Sequence, residues 1–278
     1  MAGTILHVTL AHHAALGEIS TGRVRELARR HPDELSLGAV LVDLPYYRRL
    51  WLTALATALG GEPDYGGWGR RLHLRSPTGL SLALLELADD DAGRAIALGA
   101  LTHQAVDAVF HREIAQRVAA ESENGANPDS LHKVLEDRVD IDVHRCLLGH
   151  PGIGEPYSGR ALSIRPCRGW IALSRAAILR VHGDAPSDVN LAAWLRWLRV
   201  FGLAVSTPLS PWVETTSKDD SEQNEASRAL GRSALERCAD YLHAGADYLA
   251  GELDVKDLRR RVPDRSMLDD GPADPPIR

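Results

Sequence analysis

The chain has 278 residues, of which 44% are hydrophobic and 25% are charged, and its formal net charge at pH 7 is −6. A chain of this length can bury a substantial core without disulfide support, so one large globular domain, or a main domain with an appendage, is expected. Because it has no concentrated stripe of Lys and Arg, we expect no stable nucleic-acid partner. No apolar run approaches the roughly 18–20 residues of a membrane span, which leaves transient contact with a membrane surface open.

Helices dominate the predicted secondary structure, since Ala and Leu are abundant and alternating β-branched runs are scarce. In chain order, the predicted helices cover residues 7–17, 20–30, 46–60, 79–88, 91–119, 128–148, 168–181, 187–204 and 222–250. The fold class is therefore all-α, with a single multi-helix domain over residues 1–258. Within it, the polar and acidic residues at about 214–227 are predicted to form a mobile surface loop. Residues 259–278 lack a periodic apolar pattern and are predicted to be a disordered tail.

The three cysteines, Cys146, Cys167 and Cys238, are odd in number and have no CxxC spacing. This usage is typical of free thiols in a reducing compartment. The first residues show neither the basic region nor the apolar core of a signal peptide. We therefore expect a cytoplasmic protein.

Two stretches of the chain place metal-type ligands at steps of four residues. The first carries His103, Asp107 and His111, and the second carries His132 and Glu136. Residues four apart share one face of an α-helix, so each set points in a common direction. Both stretches are otherwise rich in apolar residues, where imidazoles and carboxylates are costly unless a cation compensates them. Imidazole nitrogen with carboxylate oxygen is a common zinc set, and the pattern predicts a multinuclear zinc site.

Three further candidates lie upstream, each at the edge of an apolar segment: His7, Asp43 and His73. Taken with the two helical motifs, these residues resemble the zinc-dependent phospholipase C family, which is related in fold to the S1/P1 nucleases. The resemblance rests on an early His, an Asp after a short apolar run, a His after a Gly-containing turn, HxxxD with a further His, and a closing HxxxE. It covers roughly residues 5–145 and implies an all-α domain of the phospholipase C type.

The resemblance also implies two or three zinc ions and a division of the ligands among them. The first ion would be held by Asp43, His73, His103 and Asp107. The second would be held by His111, His132 and Glu136, with positions left for water. A third would share Asp107, as a bridge, with His7.

The resemblance implies a zinc-dependent phosphoric ester hydrolase that cleaves a phosphodiester with a metal-activated water, and Asp43 is the candidate to orient or deprotonate that water. Its partner would be a small phosphate ester or a phospholipid head group. A nuclease or general phosphodiesterase on the same metal core is the first alternative, because fold does not choose between these activities. The second alternative is a non-catalytic, zinc-stabilised relative, whose metal would have no open coordination position.

Overall fold

The computed structural model describes residues 3–47, 67–122, 167–205 and 221–265, together with 131, 132, 134–136, 139, 142, 143, 164 and 267. Over these residues the structure is helical and contains no β-strand, which confirms the predicted all-α fold class. Among the same residues, no helix combines the length and the apolar character needed to cross a membrane.

The helices of the described ranges follow one another with short connections. In chain order they are α1 (Gly3–Leu16), α2 (Gly22–Arg30), α3 (Pro32–Val40), α4 (Leu44–Tyr47), α5 (Gly67–Leu74), α6 (Pro77–Leu87), α7 (Asp91–Ser122), α8 (Trp170–His182), α9 (Asp188–Val205), α10 (Ser221–Leu249) and α11 (Val255–Arg261). Further helical residues occur between positions 131 and 143, here called segment 131–143.

Helix α7 is the central element of the fold, and it packs most extensively against α3, then α10 and α6. Its crossing with α3 is unusually close at two glycines. A Cβ atom added to Gly38 would lie 2.0 Å from the carbonyl oxygen of Ile96, and one added to Gly99 would lie 2.2 Å from that of Leu35. Only glycine lets the two backbones approach this closely. The crossing therefore brings the carboxyl end of α3 directly against the N-terminal part of α7.

Helices α3 and α5 were not predicted from the sequence. Each is short and contains glycine, which disfavours a helix by about 1 kcal/mol relative to alanine. Tertiary packing compensates for this in α3, where Leu35, Leu37 and Val40 are almost completely buried. The predicted helix 46–60 lies mostly outside the described residues, and α4 includes its first two positions.

Two predicted boundaries differ from the structure. Residues 221–227 of the predicted loop belong to α10, in which the side chain of Ser227 is buried, whereas 214–220 lie outside the described residues. The predicted disordered tail is ordered at its beginning, since residues 259–261 complete α11 and Val262 and Met267 are buried. In the tail, Asp264 and Met267 are hydrogen-bonded to residues between positions 73 and 78, which are distant in the chain, so a local sequence pattern could not predict this order.

Candidate metal centre

All eight predicted ligands lie among the described residues, and the structure gathers them from five parts of the chain. They come from α1, the turn after α3, α5, α7 and segment 131–143. Their ligand atoms form three groups, each with its atoms within 4.8 Å of one another: His7 with His103 and Asp107, Asp43 with His73 and His103, and His111 with His132 and Glu136. We call the five residues of the first two groups the inner group and the last three residues the outer group.

Asp107 lies at the centre of the cluster, because four imidazoles surround its carboxylate. Its Oδ1 is 3.1 Å from His7 Nε2 and 3.6 Å from His111 Nε2. Its Oδ2 is 3.1 Å from His103 Nε2 and 3.7 Å from His73 Nε2. The four-residue spacing on α7 accounts for His103 and His111, while α1 and α5 deliver the other two. Asp107 thus contacts both the inner and the outer group.

The orientation of His103 depends on the close crossing of α3 and α7. Its Nδ1 is 2.7 Å from the carbonyl oxygen of Ala39. That carbonyl belongs to the last turn of α3, where backbone oxygens lack a partner in their own helix. Because Nδ1 donates its hydrogen there, Nε2 is the nitrogen that faces Asp107 and that carries the lone pair when the ring is neutral. The backbone of α3 therefore selects the ring tautomer that a metal ion requires.

His73 is oriented in the same way by its own helix, with Nδ1 2.8 Å from the carbonyl oxygen of Gly69. Its Nε2 is 3.2 Å from Asp43 Oδ1. The other oxygen of Asp43 accepts a hydrogen bond from the hydroxyl of Thr4 at 3.4 Å, and Thr4 is in turn hydrogen-bonded to the buried hydroxyl of Tyr47. These contacts fix the Asp43 carboxylate from α1 and α4 together.

The outer group is more accessible than the inner group. His132 Nε2 lies 3.2 Å from Glu136 Oε1, and His111 Nε2 lies 4.0 Å from the same oxygen. The side chain of His132 is 33% exposed and that of Glu136 is 21% exposed, whereas those of His103 and Asp107 are 1% and 4% exposed. The rings of His111 and His132 are stacked with centroids 5.4 Å apart. The outer group thus borders solvent, and in the inner group Asp43 is comparably exposed at 17% while His7, His73, His103 and Asp107 are buried.

In the inner group, the charges of neighbouring side chains favour the protonated form of His103 and the ionised forms of Asp43 and Asp107. Burial lowers the pKa of His103, but the carboxylates of Asp107 and Asp43 outweigh burial and raise the pKa to about 9. Burial raises the pKa of Asp43, yet the imidazoles of His103 and His73 outweigh it and lower the pKa to about 2. The pKa of Asp107 is likewise held well below its usual value, against the effect of burial, by the surrounding imidazoles. Both carboxylates are ionised at neutral pH.

The pKa values of two other imidazoles of the centre, His7 and His111, shift in the opposite direction. Burial lowers the pKa of His7, and the neighbouring His103 lowers it further. Burial also lowers the pKa of His111, despite the opposing attraction of Asp107 and Glu136. A neutral imidazole is the form that binds a metal ion, so His7 and His111 are available as ligands at neutral pH.

The donor set fits divalent cations of the zinc type. His103 Nε2 and Asp107 Oδ2 are both buried, yet neither has a hydrogen-bond partner among the described residues. The two atoms form an ion pair 3.1 Å apart that lacks hydrogen-bond geometry, and a divalent cation would compensate both of them. All donors are imidazole nitrogens and carboxylate oxygens, a set that zinc accepts.

The groups differ in two respects from the predicted division among ions, since Asp107 is absent from the group of Asp43 and His73, and His103 also belongs to the group of His7. His103 lies within reach of two groups, but its Nδ1 is occupied by Ala39, so its single free nitrogen can serve one ion only. Asp107 has two oxygens and is the residue able to bridge. The assignment of residues to individual ions remains a prediction.

Several residues that shape the centre carry no signal in the sequence. Gly38 and Gly99 lie on different helices, and only the folded crossing shows that they face each other. Thr4 and Tyr47 are 43 residues apart and meet through a side-chain hydrogen bond. Ala39 orients His103 with its backbone carbonyl, a group that every residue has, so its residue type does not reveal this role.

An all-α domain with five imidazoles and three carboxylates around a largely buried centre is a helical protein with a donor set that could hold metal ions. The chain matches the family model described as zinc dependent phospholipase C over residues 6–160, more than half of its 278 residues, and it belongs to that family. The family resemblance drawn from the sequence is thereby confirmed. The matched region contains all eight predicted ligands, and the zinc in the family's description agrees with the donor set. Neither a curated protein nor a solved structure matches the chain.

Proposed function

We propose that this protein is a zinc-dependent hydrolase that cleaves a phosphodiester in the manner of a phospholipase C, with two or three zinc ions. The observation that carries the proposal is the accessible outer group beside the buried inner group. Structural zinc sites are closed, whereas catalytic sites keep a coordination position open to water or substrate. The side chains of His111, His132 and Glu136 are 12%, 33% and 21% exposed, which leaves room for substrate on this side.

Asp43 is the residue that we assign to the attacking water. Its side chain is 17% exposed, so a water molecule can reach it from the open side. Because its pKa is lowered to about 2, its carboxylate is ionised and accepts a hydrogen bond from that water, which orients the water for attack. The contacts to Thr4 and His73 hold the carboxylate in place for this role. A low pKa makes Asp43 better suited to orienting the water than to storing its proton.

Bound zinc would lower the pKa of water and stabilise negative charge on the phosphoryl oxygens. The hydrolysis adds one water across the phosphorus–oxygen bond, so the water oxygen joins phosphorus and the leaving oxygen takes up a proton. The products are an alcohol and a phosphomonoester. Membership of the family supports a phospholipid as substrate, in which case the products are a diacylglycerol and a phosphorylated head group.

The test is a comparison of three substrates with the zinc-loaded protein: phospholipid vesicles, a chromogenic phosphodiester and single-stranded nucleic acid. We expect Asp43→Asn to reduce phospholipid hydrolysis by about 10²-fold or more, within the range of losses seen when a positioned catalytic group is removed. Asp188→Asn is the matched control, because Asp188 begins α9, a helix without a predicted ligand, and its side chain is 69% exposed. Chelation with subsequent return of zinc checks that the activity depends on the metal.

Each outcome distinguishes among the candidate functions. Hydrolysis of nucleic acid without hydrolysis of phospholipid would replace the proposal with a nuclease. Hydrolysis of the chromogenic substrate alone would support a general phosphodiesterase. A fully zinc-loaded protein that hydrolyses none of the three would be a zinc-stabilised relative without this activity.

A further inference from the structure

The end of the described chain crosses the turn between α5 and α6. We define the C-terminal strap as residues 262–265 and 267, which lie outside the region that matches the family model. Val262 is completely buried and Met267 is 3% exposed, so both ends of the strap are anchored in the core. The turn that it crosses immediately follows the ligand His73. The strap is thus placed against a part of the chain that the metal centre depends on.

Asp264 supplies the missing cap of α6. The residue before this helix, Ser76, has a left-handed backbone with φ of 48° and does not cap the helix with its own side chain. Asp264 Oδ1 instead accepts a hydrogen bond from the backbone N–H of Thr78 at 3.0 Å. Its Oδ2 accepts a second from the Ser76 hydroxyl at 2.8 Å. A non-glycine residue rarely adopts this conformation, so the two bonds hold the turn in an otherwise unfavourable shape.

Two further contacts connect the strap to the ligand-bearing helices. The backbone N–H of Met267 donates to the carbonyl oxygen of His73 at 3.0 Å. The side-chain amide of Gln104, the residue after His103, donates to the carbonyl oxygen of Pro263 at 3.1 Å and to the Thr78 hydroxyl at 2.7 Å. The strap is therefore hydrogen-bonded to the backbone of the ligand His73 and to the side chain of Gln104, which follows the ligand His103 in the chain.

We propose that the C-terminal strap contributes to metal binding, and that its residue Asp264 is a positioning residue for the ligand His73. By fixing the turn that ends α5, the strap holds the His73 ring with Nε2 facing Asp43 and Asp107. The contacts of the strap described above reach His73 and the neighbour of His103, which are both in the inner group, so we expect the strap to act on the inner group. The inference rests on metal binding and is independent of which substrate, if any, is hydrolysed.

The experiment titrates zinc into the metal-free full-length protein against a chromogenic chelator, with no substrate present. We expect Asp264→Ala to weaken the binding of one zinc equivalent by about 10- to 100-fold, as is typical when a partner of a ligand is removed. The equivalent bound by the outer group should keep its affinity. In the cobalt-substituted protein, the visible absorption bands of the inner site should change, because the position of His73 changes.

Two control variants address a general loss of stability, and a third variant tests the strap independently of Asp264. Thr21→Ala removes the side-chain cap of α2, far from the centre, and should lower the melting temperature without altering zinc affinity. Asp264→Asn keeps an oxygen for the Thr78 N–H and should restore most of the affinity. Gln104→Met fills a similar volume but removes both bonds of the amide, so it tests the strap even if Asp264→Ala does not fold.

The proposal is overturned if Asp264→Ala and Gln104→Met bind every zinc equivalent as tightly as Thr21→Ala does and leave the cobalt spectrum unchanged. It is also overturned if the variants weaken all equivalents alike, since that result indicates global destabilisation. A protein that passes this test but hydrolyses no phosphodiester would retain the strap's role and lose only the proposed function.

Discussion

The inner and outer groups use the same ligand types in different surroundings. In the inner group, Asp107 and its imidazoles are nearly inaccessible, and the backbone carbonyls of Ala39 and Gly69 orient two of the rings. In the outer group, His132 and Glu136 are partly exposed and contact each other through their own four-residue spacing. Burial makes an uncompensated charge expensive, while exposure permits exchange with solvent. The comparison suggests that the inner group links metal binding to folding, and the outer group gives access to substrate.

The largest difference between the groups should appear when a carboxylate is neutralised in each. Asp107→Asn leaves four imidazoles around an uncharged amide and removes the carboxylate that contacts both groups. We expect it to destabilise the zinc-loaded protein by about 3–5 kcal/mol, the range for breaking a buried charged pair, and to lower the zinc content. Glu136→Gln in the outer group should lose one zinc with a much smaller loss of stability. Elemental analysis and chemical denaturation measure both effects, and equal losses in the two variants would remove the distinction between the groups.

The second largest effect should appear in how the free energy of unfolding depends on pH, because the pKa of His103 in the inner group is raised. The folded-state pKa of His103 is raised to about 9, so its contribution is present below the unfolded value of 6.5 and is lost as pH rises through 9. For the metal-free protein, this loss is on the order of 3 kcal/mol. Burial lowers the pKa of His111 in the outer group and of His7 in the inner group, so both groups cost stability as pH falls below 6.5, and only the inner group shows the alkaline loss. Metal-free protein should therefore be most stable near pH 6.5.

Zinc should abolish the alkaline loss, because the metal replaces the proton on His103, and should introduce an acid loss as protons displace the metal. Chemical denaturation between pH 5 and 10, with and without zinc, measures these slopes. His103→Gln is the control and should remove the alkaline loss in the metal-free protein. A metal-free protein whose stability is constant from pH 6.5 to 9.5 would contradict the charged state assigned to His103.

The sequence predicted the ligand types and the helical class because both follow from local spacing. His103, Asp107 and His111 lie on α7 at the predicted interval, and His132 and Glu136 lie together on segment 131–143. A helical period reports which residues share a face, and the family resemblance supplied the upstream partners.

The parts that were missed depend on contacts between distant residues. Helix α3 was not predicted, although its Ala39 carbonyl orients His103 across 64 positions of the chain. The strap was predicted to be disordered, although Asp264 caps α6 across 186 positions. In both cases the interaction involves backbone groups, which every residue possesses, so the residue types alone carry no information about it.

The smallest and most selective effect on stability and zinc binding should come from a substitution at the crossing of α3 and α7. In Gly99→Ala the new methyl group would lie 2.2 Å from the carbonyl oxygen of Leu35, so α3 must move away from α7. Overpacking of this kind costs about 1–3 kcal/mol. The same movement lengthens the bond between Ala39 and His103, so zinc binding by the inner group should weaken while the outer group keeps its ion.

Gly22→Ala is the matched control for Gly99→Ala, because a Cβ added at Gly22 meets no atom within 4 Å. Chelator titration and denaturation of both variants measure affinity and stability separately. If Gly99→Ala lowers stability but leaves the affinity of every zinc unchanged, the crossing serves packing alone. If it weakens the inner site selectively, the two glycines belong to the metal centre as much as the ligands do, since the position of a ligand nitrogen depends on how closely two backbones can approach.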